Sequence, residues 1–375
     1  MGRTKILIVV NYILEGGLTH VLLDVLKALT AGYDVTVLTI FDLYTEYVKE
    51  VKVLAKYDTL DCWRHRISNN VLLSLYSRLM DNRAFQVFLY NYYVSHHRFD
   101  IEVAFAEDWA INVVAKSKSK SRKYAWIHTD FLCDEVNDRE TLISNTKLML
   151  REFDKVIFVS ESLRRKFATL LSLSKTISIP NAVDIDAIHQ KAQSSCDIMM
   201  NQDVLNLIFV GRLNHEKGVE ILIDSLICLP QEYAKKCYLY IIGDGCQRTY
   251  LENKVQENNL KNVFLLGSKQ NPFPYVKQAS YLILPSKYEG FGLVLIEAMA
   301  LGVPCIATKT VGATEVLDNG KYGIMIDYNK ESISNVIKEC ILYPEKRIVY
   351  QSLQKKKLQA YTMDKYIEQL NTLFQ

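Results

Sequence analysis

The chain has 375 residues, a net charge of +3, 49% hydrophobic residues and 23% charged residues. That length exceeds what one hydrophobic core usually fills, so two domains are expected. The composition excludes a disordered chain, the small net charge gives no sign of a nucleic-acid binder, and no apolar run of about 20 residues is present to span a membrane.

Read in chain order, an apolar strand in "TKILIVVNYI" meets the turn "LEGG" and an amphipathic helix, and "YDVTVLTI" supplies the next strand. This is the rhythm of a βαβ unit with buried parallel strands. Gly16 and Gly17 fall in its first turn. Further strands are expected in "DIEVAFA", "KYAWIHT", "DKVIFVS" and "KTISIP", with helical stretches between them, including residues 69–97. His128 follows a strand, at its ligand-facing end. The run from Lys116 to Lys123 holds five basic residues in eight. Such runs are usually solvated faces, and here the charge also suits an anionic lipid surface.

Residues 184–203 are polar and weakly patterned and read as a linker. The βα rhythm then restarts with "LNLIFVGRL", the loop "NHEKG" and a helix, followed by strands in "CYLYIIGDG", "VFLLGS", "YLILPS", "PCIAT" and "GIMID". A helix over 363–375 closes the chain. The expected domains are therefore 1–184 and 185–362, with the terminal helix packing back on the first.

Eight cysteines at irregular spacing form no C-x-x-C pair, which fits reduced, packed thiols in a cytoplasmic protein. The first apolar run is too short for a secretion signal, and Ile6 breaks the myristoylation pattern. No metal-ligand motif and no metal or other cofactor is expected.

Two stretches carry chemistry. In "VGRLNHEKG", Arg212 and Lys217 flank a loop that opens a helix beyond a strand end, a place suited to a diphosphate. A solvated basic loop is the plainer alternative. In "EGFGLVLIEAMALG", glycines 290 and 292 precede an apolar helix carrying one acid, Glu297, eight residues after Glu289. A carboxylate among apolar residues needs donors, and a ribose diol offers two hydroxyls. A core Glu satisfied by Lys or backbone amides is the alternative. The two acids also resemble a glycosidase pair, but the glycines and helix entry aim them at different parts of a long ligand. The incomplete G-x-G in "IIGDGCQR" reads as turn glycines, Gly243 and Gly245, lining the crevice.

Taken together, "GRLNHEKG", "IIGDG", "LPSKYEGFGLVLIEAMALGVPCIAT" and "VGATEVL" resemble the retaining glycosyltransferases of family 4, in which two Rossmann-like domains form the GT-B fold. The resemblance is closest over residues 206–327. It implies an α/β protein of two doubly wound parallel-sheet domains facing a cleft. It also implies a hexosyltransferase moving a sugar from a nucleotide sugar, a UDP-sugar foremost, to a glycan or lipid-linked saccharide of bacterial surface assembly. By the same resemblance, Arg212 and Lys217 hold the donor diphosphate and Glu289 contacts the donor sugar. Glu297 binds the ribose, and amides of Phe291, Gly292 and Leu293 support sugar and phosphates. His128 lies at the reacting face, and Gly16, Gly17, Gly211 and Gly243 complete the binding set. Ala182 and Ala313 depart from the family's usual glycines without removing a charged group. Three rivals have distinct signatures. A nucleotide-sugar epimerase would turn over donor without acceptor, a non-catalytic partner subunit would lack the charged set, and a nicotinamide oxidoreductase would bind NAD.

Overall fold

The computed structural model describes residues 2–43, 45–67, 69–133 and 138–375. The chain divides into two compact units, residues 1–180 with 366–375, and residues 181–365.

The first unit holds a seven-stranded parallel sheet, β1 (Lys5–Val10), β2 (Asp34–Thr39), β3 (Lys56–Thr59), β4 (Ile101–Ala104), β5 (Arg122–Ile127), β6 (Lys155–Phe158) and β7 (Thr176–Ser178), in the order β3-β2-β1-β4-β5-β6-β7. Sequential strands step outward from β1 to β3, then the chain returns to place β4 on the other side of β1. The switch point is therefore the gap between the carboxyl ends of β1 and β4, where open sheets of this kind take ligands. The central strands are apolar because helices cover both faces. One charge interrupts them. Glu102 in β4 is fully buried, accepts a hydrogen bond from Tyr90 Oη at 2.7 Å, and is also bonded by the hydroxyls of Ser119 and Ser121.

Helix α1 (Gly17–Leu29) follows β1. The stretch read as one helical region over 69–97 breaks into α2 (Asn70–Met80) and α3 (Arg83–His96). Asp81 ends the first and Asn82 caps the second, its side chain accepting from the amides of Ala84 and Phe85 at 2.9 and 3.1 Å.

The second unit carries β8 (Leu205–Val210), β9 (Cys237–Ile242), β10 (Val263–Gly267), β11 (Tyr281–Leu284), β12 (Cys305–Thr308) and β13 (Ile324–Ile326), all parallel, in the order β10-β9-β8-β11-β12-β13. Its switch point lies between β8 and β11. The stretch read as a linker opens on a helical turn and continues without helix or strand to 203. Asp184 caps a short helix, α4 (Ile185–Lys191), whose Ile188 is buried. Beyond it, Asp197 receives Lys269 Nζ at 2.9 Å and Met200 is buried. Few apolar anchors suffice because neighbouring loops supply the polar partners, so the segment shows no periodicity.

Three further helices matter to the site and the ends: α5 (Val219–Ile227), α6 (Leu293–Ala300) and α7 (Val311–Val316). The last helix, α8 (Met363–Phe374), buries Tyr366, Leu370, Leu373 and Phe374, one face at helical spacing. The Phe374 ring lies 6.0 Å from both Tyr33 and Tyr124 of the first unit, to which these residues belong.

Candidate active site

In the second unit the loops after β8, β9, β11 and β12 are sewn together around the switch point. Beyond β8, Gly211 and Arg212 lead into a turn of 3-10 helix at His215–Lys217 and then α5. Gly218 between them has φ 68°, and a Cβ there would stand 1.9 Å from the carbonyl oxygen of Pro285, just past β11. Only glycine permits this approach. The Lys287 amide adds a bond to the Glu216 carbonyl at 2.8 Å. On the other flank, the Leu213 amide bonds the Asp244 carbonyl at 2.8 Å. A Cβ on Gly243 would meet the Gly211 carbonyl oxygen at 1.8 Å. From the loop after β12, the Gly312 amide bonds the Glu289 carbonyl at 2.9 Å.

This stitching sets the charged groups. Lys217 Nζ donates to Glu289 Oε2 at 2.7 Å, with side chains 19% and 18% exposed. Ser286 Oγ adds a longer bond to the same oxygen at 3.4 Å. Arg212 is mostly exposed, its guanidinium 4.0 Å from Glu216 Oε1. Two candidate cations thus lie in one loop beyond β8, one of them held by a candidate acid.

Helix α6 enters through Gly292, in the left-handed conformation at φ 85°. Phe291 is buried, its ring edge-on to Tyr361 at 5.7 Å. Of the helix, Leu295, Ile296, Ala298, Met299 and Ala300 are buried, whereas Leu293, Val294 and Glu297 are half-buried. Glu297 therefore lies on the helix's one partly open stripe, not in its packed face. It stands one turn after Leu293, and helical side chains in general lean back toward the N-terminus. The first amides of α6 and its dipole favour an anion at the same end.

The first unit presents a second cluster, at its own switch point. Gly16 caps α1, and no atom crowds a Cβ at Gly16 or Gly17. His128 directly follows β5, its ring packed on Phe105 at 4.6 Å and stacked with Trp126 at 5.8 Å. Burial pushes this imidazole down to about 3, so it is neutral near pH 7. Its Nε2 is buried and makes no hydrogen bond among the described residues.

Glu107, beyond β4, escaped the sequence reading. Its Oε1 accepts the amides of His128 at 2.6 Å and Thr129 at 2.8 Å, fixing the His128 backbone. Burial raises its pKa, and those amides pull it partly back. Asn11, beyond β1, completes the knot by donating to the Glu107 carbonyl at 2.9 Å and accepting from the Ala110 amide at 2.9 Å. The available signal was positional: "FAED" sets an acid just past a central strand, beside the switch point.

Among the described residues, no three His, Cys, Asp or Glu side chains cluster as metal ligands. A cavity of about 530 Å³ lined by Thr30, Tyr33, Lys52 and Lys56 lies at the amino ends of β2 and β3 and includes none of the candidate residues.

Comparison with known proteins gives the site its context. Residues 198–356 match the family described as Glycosyl transferases group 1. An uncharacterized glycosyltransferase of Methanocaldococcus jannaschii is 33% identical over 192 residues, covering 50% of this chain and 49% of the relative. The Campylobacter jejuni N-acetylgalactosamine-N,N'-diacetylbacillosaminyl-diphospho-undecaprenol 4-alpha-N-acetylgalactosaminyltransferase is 28% identical over 194 residues, 51% of each chain. The chain thus spans about half the length of the curated relatives it matches. Anabaena HepE, solved in complex with UDP and glucose, superposes with a TM-score of 0.76 at 21% identity over 99% of both chains. Residues 198–356 therefore carry a Glycosyl transferases group 1 domain, on a chain with the GT-B fold.

Proposed function

We propose that the protein is a glycosyltransferase moving a hexose from a nucleotide sugar to a glycan or lipid-linked saccharide. The observation that carries this reading is the Lys217–Glu289 pair at the β8/β11 switch point, beside Arg212 and the entrance of α6, inside the matched domain. Charge leaving the sugar gathers on the departing diphosphate, and fixed cations with helix amides stabilise it where it develops. Arg212 and Lys217 are the cations in this reading, and Glu297 takes the ribose. Glu289 takes sugar hydroxyls, and neutral His128 is a candidate catalytic group of the first unit. A UDP-sugar is the proposed donor, in keeping with the UDP bound by HepE. The named acceptor of the Campylobacter relative supports a lipid-linked saccharide. Retention of anomeric configuration, the finer assignment to family 4, catalysis without a metal, a role in surface glycan assembly, and a cytoplasmic place with peripheral membrane contact all belong to the same reading.

Purified protein incubated with a panel of UDP- and GDP-sugars, with and without membrane-derived acceptors, tests it. Acceptor-dependent release of nucleoside diphosphate is expected, and the anomeric configuration of the product reports retention. Turnover of the donor sugar without acceptor would point to an epimerase instead.

A further inference from the structure

Four strand ends of the first unit are tied side by side, in the sheet order β2-β1-β4-β5. The Phe41 amide, past β2, bonds the Asn11 carbonyl, past β1, at 2.9 Å. The Asn11 side chain donates to the Glu107 carbonyl, past β4, at 2.9 Å. Glu107 Oε1 then takes the amides of His128 and Thr129, past β5, at 2.6 and 2.8 Å. The row crosses the switch point and ends on His128.

Its last link differs in kind. The earlier ones join neutral groups, whereas here one carboxyl oxygen gathers the amides of two consecutive residues. Burial raises the Glu107 pKa, and what pulls it back is amides and the Thr129 side chain, not a cation. A neutral side chain could close a loop without the desolvation cost of an acid. In return, bonds to an ionised acceptor are roughly twice as strong as neutral ones. The His128 backbone is thus held more firmly than a plain loop joint requires.

That firmness bears on the ring. His128 Nε2 is buried without a hydrogen-bond partner among the described residues, so main chain and packing set the imidazole's place. The packing comes from Phe105 and Trp126. Phe105 stands two residues before Glu107, its own amide bonded to the Val9 carbonyl at 2.8 Å. One wall of the ring and the clamp on its backbone therefore come from the same strand end.

We propose that Glu107 is a positioning residue of the transfer reaction, its carboxylate fixing the His128–Thr129 backbone and through it the imidazole. The inference rests on the reading in which His128 takes part in transfer.

Histidine NMR and turnover test it together. With 13C-labelled histidine, the His128 Cε1–H signal is assigned by its loss in His128→Gln. Ring currents of Phe105 and Trp126 displace it in the parent. At neutral pH, Glu107→Ala should move it toward the ordinary histidine position, while Glu107→Gln, which keeps a neutral acceptor, should leave it nearer the parent's. Turnover is followed as nucleoside diphosphate released from the sugar nucleotide of the panel above that the parent uses. A misplacement of about 1 Å can cost about 10²-fold, so Glu107→Ala should lower kcat at least about tenfold. The donor KM should stay within about threefold, and Glu107→Gln should fall between parent and Ala in kcat. On a His128→Ala background the Glu107→Ala change should cost less than about twofold, because residues acting as one unit are not additive. An unmoved His128 signal in Glu107→Ala, or a kcat loss that persists in full on the His128→Ala background, would overturn the proposal. Parent-like turnover by His128→Ala would instead remove the reading of His128, and the proposal with it.

Discussion

The Lys217 ammonium lies 2.7 Å from Glu289 Oε2, so a cation proposed for a phosphate and an acid proposed for a sugar hold each other. Both side chains are about four-fifths buried, where the attraction is less screened than at a surface. An anion arriving at Lys217 must compete with Glu289. Glu289→Gln removes that competitor. Free UDP should bind the variant as well as the parent, or up to about tenfold tighter, while turnover of the full donor falls at least about tenfold because the sugar loses a charge-assisted bond. Calorimetric titration with UDP beside a transfer assay measures both. Weaker UDP binding would instead make Glu289 the group that orients Lys217.

Gly218 and Gly17 should respond oppositely to alanine. Gly218→Ala places a Cβ 1.9 Å from the Pro285 oxygen at φ 68°. Strained backbone of this sort costs about 1–3 kcal/mol before the clash is counted. The second unit should lose at least about 2 kcal/mol of stability in denaturant titration, and the loop carrying Lys217 should shift. Gly17 opens α1 with nothing within 4 Å of a Cβ. Gly17→Ala should fold at least as stably as the parent, by up to about 1 kcal/mol. A loss of activity there without loss of stability would show a ligand approaching the turn closely.

How much of this was legible in the sequence depends on whether the signal was local. The apolar strands and the glycine-flanked helix of Glu297 declare themselves because burial on both faces and helix entry leave marks within a few residues. Arg212 and Lys217 were legible by the same rule, since they follow a strand end. That Lys217 touches Glu289 was not, because 72 residues separate them and the loops are brought together by the fit of Gly218 against Pro285 and the Lys287–Glu216 backbone bond. Glu107 was missed for a similar reason. Its partners are backbone amides of another strand's loop, which carry no side-chain signature. The edge strand β3 and the short helix after Asp184 were invisible to periodicity, because short pieces held by polar anchors have none.

The buried imidazole of His128 makes stability depend on pH in a definite direction. Its folded pKa of about 3 lies below the ordinary value near 6.5, so the unfolded chain binds the extra proton between them. The contribution is whole above about 6.5 and is lost as pH falls toward about 3, with a slope of at most about 1.4 kcal/mol per pH unit. Glu107 acts in the opposite sense, since its raised pKa favours the folded state in acid. Comparing His128→Gln with the parent isolates the histidine. Urea titrations across this range should show the variant losing less stability on acidification. Parallel profiles would mean that the ring is protonated in the folded state as readily as in the unfolded chain.

Glu297 answers differently from Glu289, because the two acids stand at different places on one helix entrance. Glu289 is engaged by Lys217 in the loop before α6, while Glu297 stands on the partly open stripe of the helix, one turn in. A carboxylate at that position can accept from two vicinal hydroxyls of a ribose, and Gln keeps its size but not its charge. Glu297→Gln should weaken free UDP by about 1.5–3 kcal/mol, the usual contribution of hydrogen bonds to a charged group. The helix should stay folded, since the apolar face beneath the side chain is untouched. Titrating both Gln variants with UDP and with the intact donor separates the roles. Unchanged UDP affinity in the Glu297 variant, with a lowered thermal midpoint, would return this acid to a structural part in the helix. An equal loss in both variants would show that the two carboxylates serve the nucleotide together.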